Sequence, residues 1–179
     1  MKRIIIVLAA IAFAAPSFAT TLTSSTVPAQ AKVEIMQGKI NFATDTLKMV
    51  LKVQASATTD KAAQATASTS TLGSYNNGGE LATANGYTQG GQTLSGCTVS
   101  LSTQTVNFTC TAPTWTTTAA LTFDYVEIYD ASCATNGCTN ANQVVQIIPL
   151  LSGGSPTSFT SATSGPFTVT LVAGQIAFQ

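Results

Sequence analysis

The chain has no histidine, and charged residues make up only 8% of its 179 residues. Histidine is the residue that most often acts as a general base, activates a nucleophile or binds a metal near neutral pH. Its absence therefore excludes the commonest catalytic and metal-binding arrangements. The sequence also lacks a nucleophile elbow, a phosphate-binding glycine loop and a metalloprotease motif. We therefore expect no enzymatic activity, no cofactor and no metal.

Positive charge is equally scarce. When residues 1–19 are set aside, five lysines remain against seven carboxylates, and there is no arginine. Nucleic-acid-binding proteins carry a basic patch, so we expect no nucleic-acid partner. Thr, Ser, Ala, Gly and Asn fill the surface positions instead. Such a surface suits packing into an assembly or survival outside a cell, and it is also the common composition of secreted β proteins.

An apolar run of twelve residues, 4–15, stands at the N-terminus. Lys2 and Arg3 precede the run, Pro16 ends it, and small residues lead up to Ala19. This pattern predicts a secretory signal peptide over residues 1–19, cleaved after Ala19. A retained membrane anchor is the alternative, but a spanning helix needs roughly 20 residues. We expect an exported protein, periplasmic or extracellular, with no stable membrane anchor after cleavage.

Residues 97–110 predict a β-hairpin with a cysteine at each end. A short loop from Ser102 to Thr105 sets the register, and side chains alternate between the faces of a strand. Three cross-strand pairs then share one apolar face: Leu101 with Val106, Val99 with Phe108, and Cys97 with Cys110. The other face is polar and carries Thr98, Ser100, Asn107 and Thr109.

Four cysteines in an exported chain predict two disulfides, for which three connectivities exist. The hairpin register favours Cys97–Cys110 and leaves Cys133–Cys138 across the loop CATNGC. In the chain-entropy model, closing the 14-residue loop 97–110 adds roughly 3 kcal/mol to the free energy of unfolding, and closing the six-residue loop 133–138 adds roughly 2 kcal/mol. A zinc site is the alternative, but its spacing would be C-x12-C and C-x4-C without histidine, unlike structural zinc sites.

Short alternating segments separated by turn residues predict an all-β fold, a single antiparallel β-sandwich or jelly-roll-like domain over residues 32–179. Residues 20–31 predict an extended arm, and Lys32–Met36 fits either a strand or a helix. The segment from Ala120 to Tyr129 has large residues on both faces and predicts a central strand. The principal further strands are expected at 46–55, 143–151, 166–172 and 175–178. Pro149 favours an edge position or a bulge.

Three site chemistries have candidate residues. Glycosidases need only two carboxylates, and Asp124, Glu127 and Asp130 lie on one predicted strand, although strand-end polarity explains them as well. Asp130, Asn136 and Asn140 supply oxygen ligands of the kind calcium prefers, but a disulfide-held turn accounts for the same residues. A carbohydrate-stacking patch could include Tyr75, Tyr87, Trp115, Tyr125 and Tyr129, residues that in a β-sandwich more often belong to the core and its rim.

The block from Gly86 to Asp130 resembles a family of small structural proteins of tailed bacteriophages. Members carry a stretch GYTxGGxxLxG, a VTV strand, a VTF return strand, a TW dipeptide and a strand ending in IYD. The matching residues are Gly86–Gly91, Leu94, Gly96, Val99, Val106–Phe108, Thr114-Trp115 and Ile128–Asp130. NFATDTLKMVLKV looks like the family's first strand and GPFTVTLVAGQIAFQ like its last pair, so the resemblance spans Gly38 to Gln179.

The resemblance implies a non-enzymatic structural subunit of a virion, of the head-decoration or tail class. Its partners would be further copies of the chain or a larger protein assembly. The signal peptide and the four cysteines are typical of a different class, an exported bacterial surface or filament subunit with an adhesin-like β domain. That class is the alternative, and the arm over 20–31 and the threonine-rich outer face are the expected contact regions.

Overall fold

The structure is a computed structural model that describes residues 27–53, 75, 79–102, 105–152, 155–156 and 158–169. The helices in these ranges are α1 (Ala29–Met36) and α2 (Cys133–Asn136). The strands in them are β1 (Leu47–Lys52), β2 (Gln92–Thr93), β3 (Ser95–Ser102), β4 (Thr105–Thr111), β5 (Thr114–Thr117), β6 (Thr122–Phe123), β7 (Tyr125–Asp130), β8 (Gln143–Pro149), β9 (Leu151–Ser152), β10 (Ser155–Pro156), β11 (Phe159–Thr160) and β12 (Gly165–Thr168). The all-β prediction is confirmed.

A four-stranded antiparallel sheet with the order β2-β1-β7-β8 forms the centre of the described fold. β7 pairs with β1 along its whole length, from Leu47 opposite Asp130 to Lys52 opposite Tyr125. Every residue of β7 is buried, which confirms the prediction of a central strand. β8 pairs with β7 and, among the described residues, with no other strand, so Pro149 lies on an edge strand as expected.

Both faces of this sheet are buried. One face carries Met49, Leu51, Val126, Ile128 and Ile148, which belong to the larger hydrophobic core. The other face carries a smaller apolar group: Val50, Tyr125, Tyr129, Val144 and Ile147. The two sets alternate along β1 and β7, as the period of two requires.

The remaining described strands form two-stranded antiparallel units: β3 with β4, β5 with β12, β6 with β11, and β9 with β10. Trp115 on β5 is 1% exposed and stacks on Phe167 of β12 with ring centroids 5.7 Å apart. These sheets establish an antiparallel all-β architecture. That they combine into one β-sandwich stays a prediction.

The end of the expected arm is helical, which corrects the boundary at residue 31. α1 begins at Ala29, directly after Pro28, and Ala31 is completely buried. Alanine has the highest helix propensity and proline suits a helix start. Gly38 follows α1 with a φ of +71°, a backbone conformation that favours glycine. The ambiguous segment Lys32–Met36 is therefore helix, because its Ala-rich neighbour extends it into two turns.

Several predictions fall outside the described residues. They include the signal peptide over 1–19, the first part of the arm and the last predicted strand over 175–178. Within the described ranges, no helix is long and apolar enough to cross a membrane.

Candidate functional site

The β3–β4 hairpin has the register expected from its sequence. Leu101 lies opposite Val106 and Val99 opposite Phe108. A register shift between Ser95 and Thr98 marks an irregularity at the base, where Gly96 has a φ of +58°. The disulfide Cys97–Cys110 lies beside it and joins Cα atoms 4.0 Å apart. This covalent link braces the hairpin next to the core.

The apolar face of the hairpin is buried only in part. Phe108 is 2% exposed and its ring centroid lies 4.8 Å from that of Phe42. Val99 is 49% exposed and Leu101 is 72% exposed, so the face continues beyond the core into solvent. We call Val99 and Leu101 the hairpin tip. Exposed apolar side chains grouped on one face make the tip a candidate contact surface.

The second disulfide, Cys133–Cys138, closes the short helix α2. Cys133 is completely buried, and Gly137 adopts a left-handed conformation at the helix end. Both cysteine pairs expected from the sequence are therefore disulfides in the structure, and no free cysteine remains among the described residues. A zinc site would need thiolates, so the zinc alternative is excluded. Two disulfides indicate an oxidising, exported environment.

Glu34 ties α1 to the segment that follows α2. Its Oε1 accepts a hydrogen bond from the backbone N–H of Thr139 at 3.0 Å, and its Oε2 lies 3.1 Å from Lys39 Nζ. Burial raises the pKa of Glu34, but hydrogen bonds from Thr139, Gln30 and Lys39 outweigh the burial and hold the pKa at about 2. The carboxylate is thus a charged anchor with a structural role.

A buried ion pair crosses the central sheet between β1 and β7. Lys52 Nζ lies 3.1 Å from Glu127 Oε2, and the side chains are 1% and 2% exposed. Val50 is opposite Glu127 and Lys52 is opposite Tyr125, so the two charged side chains stand at diagonal positions on one sheet face. Burying two charges costs several kcal/mol each, which makes this pair the most demanding polar contact in the described structure.

Tyr75 encloses the ion pair. Its ring centroid is 5.6 Å from Lys52 Nζ, a cation–π distance, and its ring stacks on Tyr129 with centroids 4.2 Å apart. The Tyr75 hydroxyl donates a hydrogen bond to Glu80 Oε2. Burial, the hydrogen bond to Glu80 and the negative charges nearby raise the pKa of Tyr75 well above its usual value.

Glu80 connects Tyr75 to Tyr87 and Gly90 through hydrogen bonds to its carboxylate. Glu80 forms an antiparallel bridge with Lys52, and its Oε1 accepts hydrogen bonds from the Tyr87 hydroxyl at 2.5 Å and from the Gly90 N–H at 2.7 Å. The Tyr129 hydroxyl donates to the Gly90 carbonyl at 3.1 Å. We define the Lys52 cluster by its six members: Lys52, Tyr75, Glu80, Tyr87, Glu127 and Tyr129.

Asp130 forms a second buried acidic site, at the end of β7. The side chain is completely buried, and Asp130 Oδ1 accepts the Ser132 N–H at 2.7 Å. Burial, together with a hydrogen bond and charge repulsion from Asp45, raises the pKa of Asp130 to about 7. Asp45 Oδ2 also accepts the Asn41 N–H at 2.7 Å. The contact between Asp45 and Asp130 holds the 41–46 turn against the end of β7.

The three carboxylates considered for catalysis have separate surroundings. Glu127 pairs with Lys52, Asp130 faces Asp45, and Asp124 accepts a hydrogen bond from the Ser158 hydroxyl. Glu127 and Asp130 are buried, because β7 is covered on both faces, and Asp130 is the last residue of that strand. The contacts described for the three carboxylates point to separate structural roles.

The calcium and carbohydrate alternatives receive no support. Asn140 Nδ2 donates to Gln143 Oε1 at 2.8 Å, Asn136 is exposed on α2, and the described residues contain no group of three or more His, Cys, Asp or Glu side chains able to hold a metal. The aromatic residues proposed for sugar stacking are largely buried, with Tyr87, Trp115 and Tyr125 at most 1% exposed. They belong to the core and its rim, which is the alternative given for them in the sequence.

The Lys52 cluster was missed in the sequence. Lys52 alternates with apolar residues along β1 and looks like a solvent-facing lysine, and Glu80 stands in a turn-rich stretch. One available signal was the prediction that β7 has large residues on both faces. A strand next to it must also be covered on both faces, so a lysine there needs a buried anionic partner.

Comparison with known proteins adds no assignment. A scan against protein-family models, a search of curated proteins and a search of solved structures each found no match. A function for this chain rests on its residues and their geometry.

Proposed function

We propose that the protein is a non-enzymatic structural subunit, of the kind found in tailed-phage virions, and that copies of it associate through the hairpin tip. The observation that carries the proposal is the exposure of Val99 and Leu101, 49% and 72%, on a hairpin braced by Cys97–Cys110. Burying such side chains against a second copy contributes favourable free energy through the hydrophobic effect.

The electrostatics around the tip favour a neutral partner. Residues 81–123, which include both hairpin strands, contain no charged side chain. Contacts without charge have little like-charge repulsion and depend weakly on salt. A second copy of the same neutral, apolar tip satisfies this requirement, and a two-fold axis would place each Leu101 against its counterpart.

The rigidity of the hairpin also supports a contact role. The cross-strand disulfide restrains both strands before binding, so less conformational entropy is lost on association. On the polar outer face, Thr98 Oγ1 and Thr109 Oγ1 are 2.9 Å apart and restrain each other further. The tip thus presents its apolar side chains in a preorganised form.

An exported bacterial surface or filament subunit is the second candidate. The two disulfides favour it, because such bonds form and persist in oxidising compartments. Both candidates use the same association surface and differ in the assembly that receives it. Neighbouring capsid, portal and tail genes favour the virion subunit, whereas secretion or usher genes favour the surface subunit.

Two matched charge substitutions test the proposal. Leu101→Asp places a charge in the tip, and Ser100→Asp places the same charge on the preceding residue, which is exposed on the opposite face. We expect Leu101→Asp to weaken self-association roughly tenfold or more, the equivalent of about 1.4 kcal/mol, and Ser100→Asp to change it little. Light scattering over a concentration series measures this. Equal association of both variants and the wild type, or a wild type that stays monomeric throughout, overturns the proposal.

A further inference from the structure

The Lys52 cluster has the arrangement of a site for covalent cross-linking. The amine and the carboxyl group belong to different strands, Nζ lies 3.1 Å from Oε2, and both side chains are almost fully removed from water. Oε2 is bonded directly to Cδ, the carbon that an amine would attack, so the two reacting groups are already held next to each other. We propose that Lys52 and Glu127 condense to an intramolecular amide that joins β1 to β7.

The step balances without any oxidant or co-reactant. A proton moves from the Lys52 ammonium to the Glu127 carboxylate, which gives a neutral amine and a neutral acid. The Nζ lone pair then attacks Cδ, the new C–N bond forms, and the acid hydroxyl leaves with a second proton from nitrogen. One ammonium and one carboxylate become one amide and one water molecule.

Burial provides the driving force. In water, condensation of an amine with an acid is unfavourable because the ions are well solvated and water is in excess. In the interior, both ions carry a desolvation penalty that a neutral amide does not. The water that is released gains freedom when it leaves for bulk solvent. The enclosure by Tyr75, whose ring covers Lys52 Nζ, then keeps water from reversing the reaction.

The surrounding hydrogen bonds hold the enclosure in place. Glu80 is opposite Lys52 in an antiparallel bridge and accepts hydrogen bonds from Tyr75 and Tyr87. Tyr75 also stacks on Tyr129, which restrains the ring. These contacts keep the Tyr75 ring over Lys52 Nζ.

Intact mass spectrometry of the full, folded and exported chain tests the inference. After denaturation and reduction of the disulfides, we expect a mass lower than that of the mature sequence by one water molecule. Fragmentation after proteolysis should show a branched peptide that joins the segment around Lys52 to the segment around Glu127. An unshifted mass, or a water loss located elsewhere in the chain, overturns the inference.

Two lysine variants provide matched controls. Lys52→Arg keeps the positive charge but cannot form the amide, because its guanidinium stays protonated. Its mass should therefore be that of the uncondensed chain. Lys48→Arg makes the same change four residues earlier on β1, and its mass should still be lower by one water. The wild-type mass decides the question even where Lys52→Arg fails to fold. A water loss that persists unchanged in Lys52→Arg contradicts the assignment to Lys52.

Discussion

Lys52 and Glu127 stand diagonally across β1 and β7 with Nζ and Oε2 3.1 Å apart, both almost completely buried. Removing Glu127, whether it is present in the ion pair or in the proposed amide, leaves the Lys52 charge in the interior without compensation. We expect Glu127→Ala to lower the free energy of unfolding by about 3–5 kcal/mol. Urea denaturation followed by circular dichroism measures the change. Lys48→Ala, on the same strand but only partly buried, is the control, and a loss as large as that of Glu127→Ala would contradict the importance of burial.

Asp130, at the end of β7, makes the free energy of unfolding decrease as pH rises. The pKa of Asp130 is about 7 in the folded state, above its ordinary value of 3.8. Between these values the folded protein binds more protons than the unfolded chain, so the free energy of unfolding falls as pH rises from about 4 to about 7. The urea midpoint at about pH 8 should be lower than at about pH 5, and Asp130→Asn should reduce the difference. A wild-type midpoint that is higher at the upper pH contradicts this account.

Glu34 has the opposite dependence, in a lower range. Its folded-state pKa of about 2 lies below the ordinary value of 4.5, so its contribution is present above about pH 4.5 and is lost as pH falls toward 2. The wild type should therefore lose stability in acid, with α1 detaching from Thr139. Glu34→Gln should show a smaller loss over the same range. Near-ultraviolet circular dichroism during acid titration follows the change, and identical acid titrations of the two proteins would exclude the role given to Glu34.

Two adjacent glycines before β2, Gly90 and Gly91, allow the cost of a steric clash to be compared with the cost of a left-handed backbone conformation. Gly90 and Gly91 both have positive φ, but a Cβ on Gly91 would lie 1.9 Å from the Met49 carbonyl oxygen, whereas a Cβ on Gly90 meets nothing within 4 Å. Gly90→Ala should cost about 1–2 kcal/mol, the price of the left-handed conformation. Gly91→Ala should cost clearly more, because β1 must move. Thermal melting compares the two, and equal melting temperatures would show that the close approach of the backbones is absent.

The hairpin disulfide should stabilise the fold and the tip together. A 14-residue loop closed by Cys97–Cys110 is worth roughly 3 kcal/mol in the chain-entropy model. The double variant Cys97→Ala/Cys110→Ala should therefore unfold at a lower denaturant concentration and associate more weakly. The matching variant at Cys133 and Cys138 should affect stability, and leave association by properly folded protein unchanged. Association that is lost equally in both variants would point to general unfolding.

The sequence predicted those features that depend on local alternation. The hairpin register follows from the short loop and the period of two, and the central position of β7 follows from large residues on both faces. The helical end of the arm was missed because its buried contact is made by Ala31, too small to produce an apolar pattern. Glu80 and Tyr75 meet Lys52 only after distant segments come together, and no local pattern encodes that contact.

Side-chain footprinting of the assembled protein tests the central claim most directly. Hydroxyl radicals oxidise exposed side chains, so Val99 and Leu101 should be modified readily in the isolated subunit. In purified particles or filaments we expect their oxidation to fall several-fold, with Met36, which is 86% exposed on α1, as a reference outside the tip. Undiminished oxidation of Val99 and Leu101 in the assembly, with protection elsewhere, would contradict association through the hairpin tip.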